Sequence, residues 1–361
     1  MIDLKKAYLV LSNGRIFEGE HFGADIESIG ELVFTTGLSG YIETLTDPSC
    51  YGQIVMQTFP LIGNYGIIEE DFEGECGVKG LVVREWCNTP SNFRCEYNLD
   101  EFLKRSGVPG ISGIDTRELM RILRTEGIMN AAICSEVPEN LDAIKAYAIT
   151  NAVKDVTCDE ISVYPLDTKP EHRVTLIDYG AKGNIVKELQ KRGCLVTEVP
   201  AFTNAEDILA TNPDGIMLSN GPGDPFELSY CIEQIKLLKG KAAMFGICLG
   251  HQLLALANGA KTCKMRHGHR GSNQPVRCTE SGRTYITCQN HGFEVDFSTL
   301  KVDAVQSFVN ANDGTCEGIE YPDIKAFSVQ FHPEACAGPT DTSFLFDHFV
   351  SLMGGERVAA E

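Results

Sequence analysis

The sequence predicts an α/β protein, with an N-terminal β-rich α/β domain followed by a mainly parallel, doubly wound sheet. Its 361 residues exceed the usual size of one hydrophobic core and fit two domains. A hairpin pattern opens the chain, and from Arg173 onward short apolar segments alternate with helical ones. This alternation is typical of parallel strands whose connecting helices cover both faces of a sheet.

A β-hairpin is the first predicted element. Residues 8–11 and 16–17 are predicted strands on either side of a polar turn. Between them, Asn13 and Gly14 form a dipeptide that accepts the positive φ angles of a two-residue turn. The chain is therefore expected to begin as β structure.

Two helices are predicted further along the first half. A capping pattern begins at Asp115, and Gly127 is the expected end of the helix. The apolar residues at helical spacing between them are Leu119, Ile122 and Leu123. This pattern predicts a helix over residues 116–126, and a second helix is expected over residues 141–152.

A domain boundary is predicted after the second helix. Polar, weakly periodic residues with Pro165 and Pro170 separate two different hydrophobic patterns. We expect an N-terminal domain at residues 1–155, a linker at 156–171 and a C-terminal domain at 172–361.

The C-terminal half alternates between strand and helix. The predicted strands lie at residues 174–177, 195–199, 215–218, 242–247 and 325–329, and the predicted helices at 183–192, 230–238 and 249–258. Ligands of such sheets bind beyond the carboxyl ends of the strands, so the loops at those ends are the place to search for a site.

Charge and composition exclude several classes of partner. The formal net charge is −19, and the longest basic stretch, residues 264–270, is broken by Gly268 and is interpreted as a solvated loop. Nucleic acid is therefore not an expected partner. No secretory signal begins the chain and no apolar run reaches about 18 residues, so a cytoplasmic protein without membrane contact is expected.

The 14 cysteines do not have the spacing of a disulfide framework or a zinc site. Most are expected to be reduced, small apolar side chains in the interior. Cys248 is the exception, because it stands between a predicted strand and a predicted helix, flanked by Gly246 and Gly250.

This arrangement is the cysteine form of a nucleophile elbow, in which small neighbours tolerate a sharp turn. The start of a helix favours the thiolate form of a cysteine, and backbone amides such as that of Leu249 can stabilise an oxyanion. A buried structural cysteine remains the alternative when this motif is taken alone.

A second motif supplies the partners of a nucleophile. His332 and Glu334 follow the predicted strand 325–329, separated by Pro333. A histidine can accept the thiol proton and return it to the leaving group, and a carboxylate can fix the tautomer of the imidazole. A third motif, residues 219–225, also follows a strand, and its glycines allow close approach of a ligand. It is not a phosphate-binding loop, and no dinucleotide motif is present.

The motifs GICLGHQLLA, SNGPGDP, QNHGF and QFHPE occur in this order, and together they resemble the class I (triad) glutamine amidotransferases. The resemblance covers residues 172–353 and implies a flavodoxin-like sheet. It also implies that glutamine is hydrolysed through a γ-glutamyl thioester on Cys248, with His332 and Glu334 completing the triad.

The first half resembles the small subunit of carbamoyl phosphate synthetase. The segments concerned are TTGLSGYIETLTDPSCYGQIV, FPLIGNYG, GLVVRE, SNFR and GISGIDTRELMRILRTEG. This resemblance implies a glutaminase subunit, without a cofactor or metal of its own, that forms a heterodimer or a higher oligomer of heterodimers with a large subunit. It further implies that the large subunit uses ATP with Mg²⁺ and bicarbonate to make carbamoyl phosphate for arginine and pyrimidine biosynthesis.

The same resemblance implies which residues contact L-glutamine. Carried over position by position, they are Ser49, Gly221, Gly223, Leu249, Gln252, Asn290, Gly292 and Phe293. Gln252 lies about one helical turn beyond Cys248, so its amide can face the same pocket.

Other residues near the motifs are interpreted as packing or supporting groups. These are Cys50, Cys288 and Cys336, together with His251, His269 and His291. No carboxylate or thiol set with metal spacing accompanies the histidines, so no metal site is expected.

Three alternatives remain open from the sequence. One is the amidotransferase component of another synthase, such as one that makes anthranilate or guanylate, and the N-terminal domain distinguishes it. The second is a stand-alone cysteine peptidase or γ-glutamyl hydrolase, which needs no partner. The third is a regulatory subunit without catalysis, against which the intact triad argues.

Overall fold

A computed structural model of the chain describes residues 5–335 and 337–354. The chain divides into two compact units, Met1–Thr150 and Asn151–Glu361. The predicted domain limits at residues 155 and 172 stay predictions. Among the described residues, no helix is both long enough and apolar enough to cross a membrane.

The first unit is built mainly of short strands. Its elements are β1 (Lys6–Leu11), β2 (Ile16–Gly23), β3 (Ser28–Thr35), α1 (Tyr41–Thr46), β4 (Gln53–Gln57), β5 (Leu61–Ile62), β6 (Gly80–Val82), β7 (Glu85–Trp86), α2 (Leu99–Arg105), β8 (Pro109–Ser112), α3 (Thr116–Glu126), β9 (Met129–Cys134) and α4 (Asp142–Ala146).

Seven of these strands close into a barrel in the order β1-β2-β8-β6-β4-β3-β9, with β9 paired back to β1. Successive side chains on β3 and β4 enter two different apolar clusters, because alternate residues of a strand point to opposite faces. Leu32 and Ile54 share one cluster with Leu119 and Leu123 of α3, whereas Val33 joins the cluster that receives α1 and α2. The N-terminal domain is thus β-rich with helices packed on it, as predicted.

The predicted hairpin is confirmed, but its turn differs from the prediction. The amide of Leu11 donates to the carbonyl of Arg15, and the amide of Gly14 donates back to the carbonyl of Leu11, each at 2.9 Å. Gly14 has φ +89°, whereas Asn13 is not among the residues with positive φ. Three residues therefore form the loop, with glycine in the left-handed position, instead of the two-residue turn expected from the Asn-Gly pair.

The helix predicted over residues 116–126 is confirmed as α3, whereas the single helix predicted over residues 141–152 is wrong. The chain forms α4 and, after a break, a second short helix. The side-chain amide of Asn130 donates to the carbonyls of Ile144 and Tyr147 at 2.9 and 2.8 Å. Because these carbonyls already have a partner on β9, the helix ends at Ala146.

The second unit contains the remaining elements. They are α5 (Ala152–Val156), β10 (Ser162–Tyr164), β11 (His172–Asp178), α6 (Gly183–Gln190), β12 (Cys194–Pro200), α7 (Ala205–Ala210), β13 (Gly215–Leu218), α8 (Ser229–Leu238), β14 (Ala243–Ile247), α9 (Leu249–Ala257), β15 (Lys261–Cys278), β16 (Thr284–Asp296), β17 (Val305–Asn310), β18 (Cys316–Tyr321), β19 (Ala326–Val329) and α10 (Phe344–Gly354).

A parallel core, in the order β12-β11-β13-β14-β19, forms the centre of a ten-stranded sheet. Ile208 of α7, Ile235 of α8 and Leu253 of α9 pack in one apolar cluster, whereas Ile185 of α6 and Phe349 of α10 pack in another. Helices thus contribute to two separate cores of the sheet, and the predicted doubly wound α/β fold is confirmed.

An antiparallel extension was not predicted. The sheet continues beyond β19 through β18, β16, β15 and β17, and β17 also pairs with β18, so these four strands curl into a ring. The basic stretch at residues 264–270, interpreted as a solvated loop, lies within β15, and His269 and Arg270 are buried. That interpretation was wrong for His269 and Arg270, which pair with β16, whereas Lys264 and Arg266 are exposed.

Candidate active site

Cys248 lies at the junction of β14 and α9 in a strained backbone conformation. Its φ and ψ angles are +51° and −101°, a combination that side-chain-bearing residues rarely adopt. The Cys248 amide donates to the carbonyl of Val329 at the end of β19, at 2.9 Å. The turn is therefore held between two parallel strands, and it places the thiol at the start of a helix.

The two flanking glycines make this turn possible. A Cβ atom on Gly246 would lie 2.7 Å from the carbonyl oxygen of Gly250, and one on Gly250 would overlap the carbonyl oxygen of Leu218. The amide of Gly250 also donates to the carbonyl of Ser219 at 3.0 Å. The helix thus begins in direct backbone contact with the loop that follows β13.

His332 and Glu334 form a buried pair after β19. The Nδ1 atom of His332 lies 2.7 Å from Oε1 of Glu334, and neither side chain is exposed to solvent. Because a carboxylate only accepts, Nδ1 carries the proton of this hydrogen bond. The other ring nitrogen, Nε2, has no hydrogen-bond partner of ordinary geometry in the described parts of the chain.

The electrostatics of this pair make the imidazole a stronger base than usual. Burial and the nearby Lys182 ammonium lower the pKa of His332, but Glu334 and the Cys248 thiol outweigh them and raise it above its ordinary value. Burial raises the pKa of Glu334, and the opposing influence of His332 and Lys182 leaves it below its ordinary value. The arrangement therefore keeps Glu334 ionised and makes His332 a ready acceptor for the Cys248 proton.

The start of α6 supports Glu334, and the sequence motifs did not indicate this. Lys182 Nζ lies 3.8 Å from Oε1 of Glu334, and its side chain is 8% exposed. The side-chain amide of Asn184 donates to the main-chain carbonyl of Glu334. Both residues follow β11, and their position beyond the carboxyl end of a parallel strand was the signal that could have revealed them.

Four of the predicted glutamine contacts lie around Cys248. Gln252 donates from Nε2 to the carbonyl of Phe293 and to Oε1 of Gln330, each at 3.0 Å, so it connects α9 with β16 and the end of β19. The Cys248 thiol lies 3.9 Å from the carbonyl oxygen of Asn290. Leu249 is the next residue along the chain and is buried.

The predicted glycine contacts are sites of close backbone approach. A Cβ on Gly221 would overlap the Tyr179 carbonyl oxygen and come within 2.8 Å of the Leu249 side chain. Gly223 has φ +91° and lies beside Ala152, and Gly292 lies beside the Arg270 guanidinium. Gly221 is thus brought against the elbow, whereas no contact of Gly223 or Gly292 with Cys248 is described.

Ser49, the remaining predicted contact, belongs to the first unit. Its side chain is buried, and Oγ donates to Oδ1 of Asp47 at 2.6 Å. Its predicted role with glutamine stays a prediction.

The supporting residues have distinct positions. His251 is buried in α9 with Nδ1 2.8 Å from Ser328 Oγ, and burial lowers its pKa to about 3, so it is neutral. Cys50 is buried, and the carbonyl of Cys288 accepts the amide of His332 at 2.9 Å. Cys336 lies outside the described residues.

The chain matches two protein families. Residues 175–352 match the family described as glutamine amidotransferase class-I. Residues 9–133 match the family described as the CPSase domain of the carbamoyl-phosphate synthase small chain. The two matches fall in different units.

Similar proteins are matched over nearly their full length. The carbamoyl phosphate synthase small chain of Listeria monocytogenes serotype 4b is 47% identical over 360 residues, which are 98% of each chain. Its namesake in Oceanobacillus iheyensis is 48% identical over 358 residues, again 98% of each chain. That of Fusobacterium nucleatum is 49% identical over 350 residues, 95% of this chain and 96% of the relative. A solved glutamine amidotransferase from Thermotoga maritima is 19% identical, with a TM-score of 0.38, and the match covers 51% of this chain and 85% of that one.

Proposed function

The chain belongs to the family of carbamoyl phosphate synthase small chains, and from this premise we propose that Cys248, His332 and Glu334 carry out its chemistry. As a member of that family with a class I amidotransferase domain, it hydrolyses glutamine and delivers ammonia to the large subunit. The observation that supports the catalytic assignment best is the buried His332–Glu334 hydrogen bond of 2.7 Å beside the strained Cys248.

The first half of the reaction forms a thioester. His332 accepts the thiol proton at Nε2, the nitrogen that does not bind Glu334, and the sulfur of Cys248 attacks the γ-carboxamide carbon of glutamine. The oxyanion that develops faces the start of α9, where the amide of Leu249 is the proposed donor. His332 then returns the proton to the leaving nitrogen, and the C–N bond breaks to release ammonia.

The second half regenerates the thiol. His332 removes a proton from a water molecule that attacks the thioester, the C–S bond breaks as glutamate forms, and His332 returns that proton to the departing sulfur. Glu334 remains ionised throughout and stabilises the imidazolium that appears in each half. The buried position of the pair excludes bulk water from the proton-transfer path.

The glutamine contacts are proposed from the same family pattern. Gln252, Asn290 and Phe293 lie near the thiol on α9 and β16, Gly292 lies between the last two, and Gly221 and Gly223 supply backbone that a ligand can approach closely. Ser49 of the first unit is proposed to complete the set. The proposed glutamine contacts of the second unit thus come from the segments that follow the parallel strands β13 and β14 and from the antiparallel strand β16.

The assembly and its cofactors belong to the proposal as well. The large subunit is the partner of this chain, and we infer a heterodimer or an oligomer of heterodimers in the cytoplasm. The large subunit is proposed to use ATP with Mg²⁺ and bicarbonate to make carbamoyl phosphate for arginine and pyrimidine biosynthesis. This chain is proposed to bind neither a cofactor nor a metal, and neither nucleic acid nor a membrane.

The decisive experiment is Cys248→Ser in the assembled enzyme. Glutamine-dependent carbamoyl phosphate formation is expected to be lost, because serine lacks a comparably nucleophilic form at neutral pH. Synthesis from free ammonia is expected to continue at the wild-type rate, because the large subunit is unchanged. Retained use of glutamine by the variant contradicts the assignment of Cys248.

The control compares the isolated chain with the complex. A chain that consumes glutamine alone at its full rate, with no stimulation by the large subunit, favours a stand-alone hydrolase. A complex that forms anthranilate or guanylate in place of carbamoyl phosphate favours another synthase. The match of residues 9–133 to the small-chain family supports the carbamoyl phosphate product.

A further inference from the structure

Glu317 is a fully buried carboxylate that the catalytic sequence does not use. It lies on β18, and its side chain is 0% exposed. A buried carboxylate is costly unless both oxygens have partners, so the identity of the partners shows what the residue holds in place.

The partners of Glu317 come from the other three strands of the antiparallel ring. Oε1 accepts from Nδ2 of Asn310 on β17 at 3.1 Å and lies 3.2 Å from Nδ1 of His269 on β15. Oε2 accepts from Nε2 of Gln289 on β16 at 3.1 Å. One side chain therefore connects all four strands.

The connection continues into the segment that is proposed to bind glutamine. Gln289 lies on β16 directly before residues 290–293, and its Oε1 lies 3.0 Å from Nε2 of His291. Nδ1 of His291 lies 2.8 Å from the carbonyl oxygen of Phe293, the same carbonyl that accepts from Gln252. Burial lowers the pKa of His291, so the ring is neutral and its one N–H can donate to only one of these two oxygens. The side chain of Glu317 therefore reaches residues 290–293 through its hydrogen bond with Gln289, the residue that precedes them.

The main chain of Glu317 also contacts the segment that leads to His332. Its carbonyl accepts the amide of Gln330 at 2.9 Å. Gln330 lies two residues before His332, and its side chain accepts from Gln252. Glu317 is therefore bonded both to the strand that carries the glutamine contacts and to the segment that carries the general base.

The charges around Glu317 match this supporting role. Burial lowers the pKa of His269, but Glu317 and Asp313 outweigh it and raise the pKa, and Nε2 of His269 lies 2.8 Å from Oδ2 of Asp313. His269, His291 and Glu317 also present possible metal-ligand atoms within 4.8 Å of one another. The amide donors of Asn310 and Gln289 that point at Glu317 fit a hydrogen-bonded network and not a cation site, because a metal ligand offers lone pairs.

We propose that Glu317 is a positioning residue for glutamine, which fixes the backbone of residues 290–293 by holding Gln289, the residue that precedes them on β16. This inference rests on the proposed function, since it concerns the same glutamine site. The antiparallel ring would then shape the substrate pocket, whereas the nucleophile lies on the parallel core.

The test uses Glu317→Gln and Glu317→Ala in the assembled enzyme, with Glu320→Gln on the same strand as the matched control. Glu317→Ala is expected to raise the KM for glutamine about tenfold, because a segment that binds glutamine loses one buried hydrogen-bond partner. The kcat is expected to change less than about threefold. Glu317→Gln, which retains one acceptor oxygen, is expected to raise KM less. The control and all ammonia-dependent rates are expected to match the wild type.

A double variant tests the route through Gln289. If Glu317 acts through Gln289, the KM of Glu317→Gln combined with Gln289→Ala is expected to be no higher than that of the more severe single variant. Multiplicative effects on KM contradict this route. An unchanged KM in both Glu317 variants, accompanied only by a lower melting temperature, shows a purely structural role and overturns the proposal.

Two further measurements separate the remaining explanations. One equivalent of a divalent metal that purifies with the wild type and is missing from Glu317→Gln overturns the network in favour of a metal site. A wild-type complex that does not use glutamine at all contradicts the proposed function itself. Wild-type glutamine use with unaltered kinetics in both Glu317 variants contradicts the present inference alone.

Discussion

At the scale of single residues, the nucleophile and the groups that control its proton transfer are positioned in different ways. Cys248 is presented by backbone strain, with φ +51°, whereas His332 and Glu334 are placed by a short buried turn. Lys182 adds a positive charge 3.8 Å from Glu334. Since Glu334 touches Nδ1 of His332 and not the sulfur, its removal should weaken proton transfer without removing the nucleophile.

The substitution Glu334→Gln is therefore expected to lower the kcat for glutamine hydrolysis by about a hundredfold, the smaller end of what acid–base groups contribute. The amide oxygen can still accept from Nδ1 of His332, but it does not stabilise the imidazolium by charge. Steady-state glutaminase assays measure kcat and KM separately, and KM is expected to change little. Unaltered kcat, with Glu320→Gln at a half-buried glutamate outside the triad as the control, contradicts a catalytic role for the charge.

The sequence predicted the catalytic residues but not the role of Glu317, because interacting partners that are far apart along the chain leave no local pattern. Cys248, His332 and Glu334 each stand in a short motif after a strand, so local pattern was sufficient. Glu317 meets His269 across 48 positions of the chain, and that register depends on the irregular pairing of β15 with β16. No spacing rule shows such a contact.

At the scale of elements, the junction of β14 and α9 is fixed by glycine contacts. A methyl group at Gly250 overlaps the carbonyl oxygen of Leu218, which belongs to the neighbouring strand and cannot move away as a flexible side chain can. The thiol position is therefore determined by how closely α9 approaches β13.

The substitution Gly250→Ala is expected to destabilise the chain by about 1–3 kcal/mol, the usual cost of forcing extra atoms into a packed site, and to lower glutaminase activity. Gly354→Ala is the matched control, because nothing lies within 4 Å of a Cβ at that position. Urea unfolding monitored by circular dichroism gives both free energies. Equal stability of the two variants contradicts the role of the close contact.

Elements were predicted best where the pattern was strong and local. The cap at Asp115 and the spacing of Leu119 and Leu123 define α3 correctly. The prediction of one helix over residues 141–152 was wrong because the side chain of Asn130, on β9, donates hydrogen bonds to two carbonyls at the end of α4. The antiparallel ring was missed because polar side chains such as His269 and Arg270 suggest a loop, although tertiary packing buries them.

At the scale of the whole molecule, each unit has its own apolar core. Three clusters draw only on residues of Met1–Thr150, and two draw only on residues of Asn151–Glu361. A core of its own is the requirement for a domain that folds alone.

The fragment Asn151–Glu361 is therefore expected to fold without the first unit. We expect a cooperative thermal transition and a native-like circular dichroism spectrum, with glutamine affinity weaker than in the full chain because the proposed contact at Ser49 is missing. Calorimetry and glutamine titration of a Cys248→Ser form measure both. A fragment that aggregates or melts without cooperativity contradicts independent folding, and full affinity contradicts the assignment of Ser49.

The closure of the barrel and of the antiparallel ring has a consequence for solubility. Strand edges with unpaired backbone groups are where β proteins add to one another and aggregate. In the described parts of the chain, the barrel has no such edge, and one end of the large sheet folds back through the pairing of β17 with β18. The other end is β10, only three residues long, and the separate pair β5 and β7 has two residues in each strand. A newly synthesised chain therefore exposes few unpaired strand edges to which other copies could add before it binds its partner.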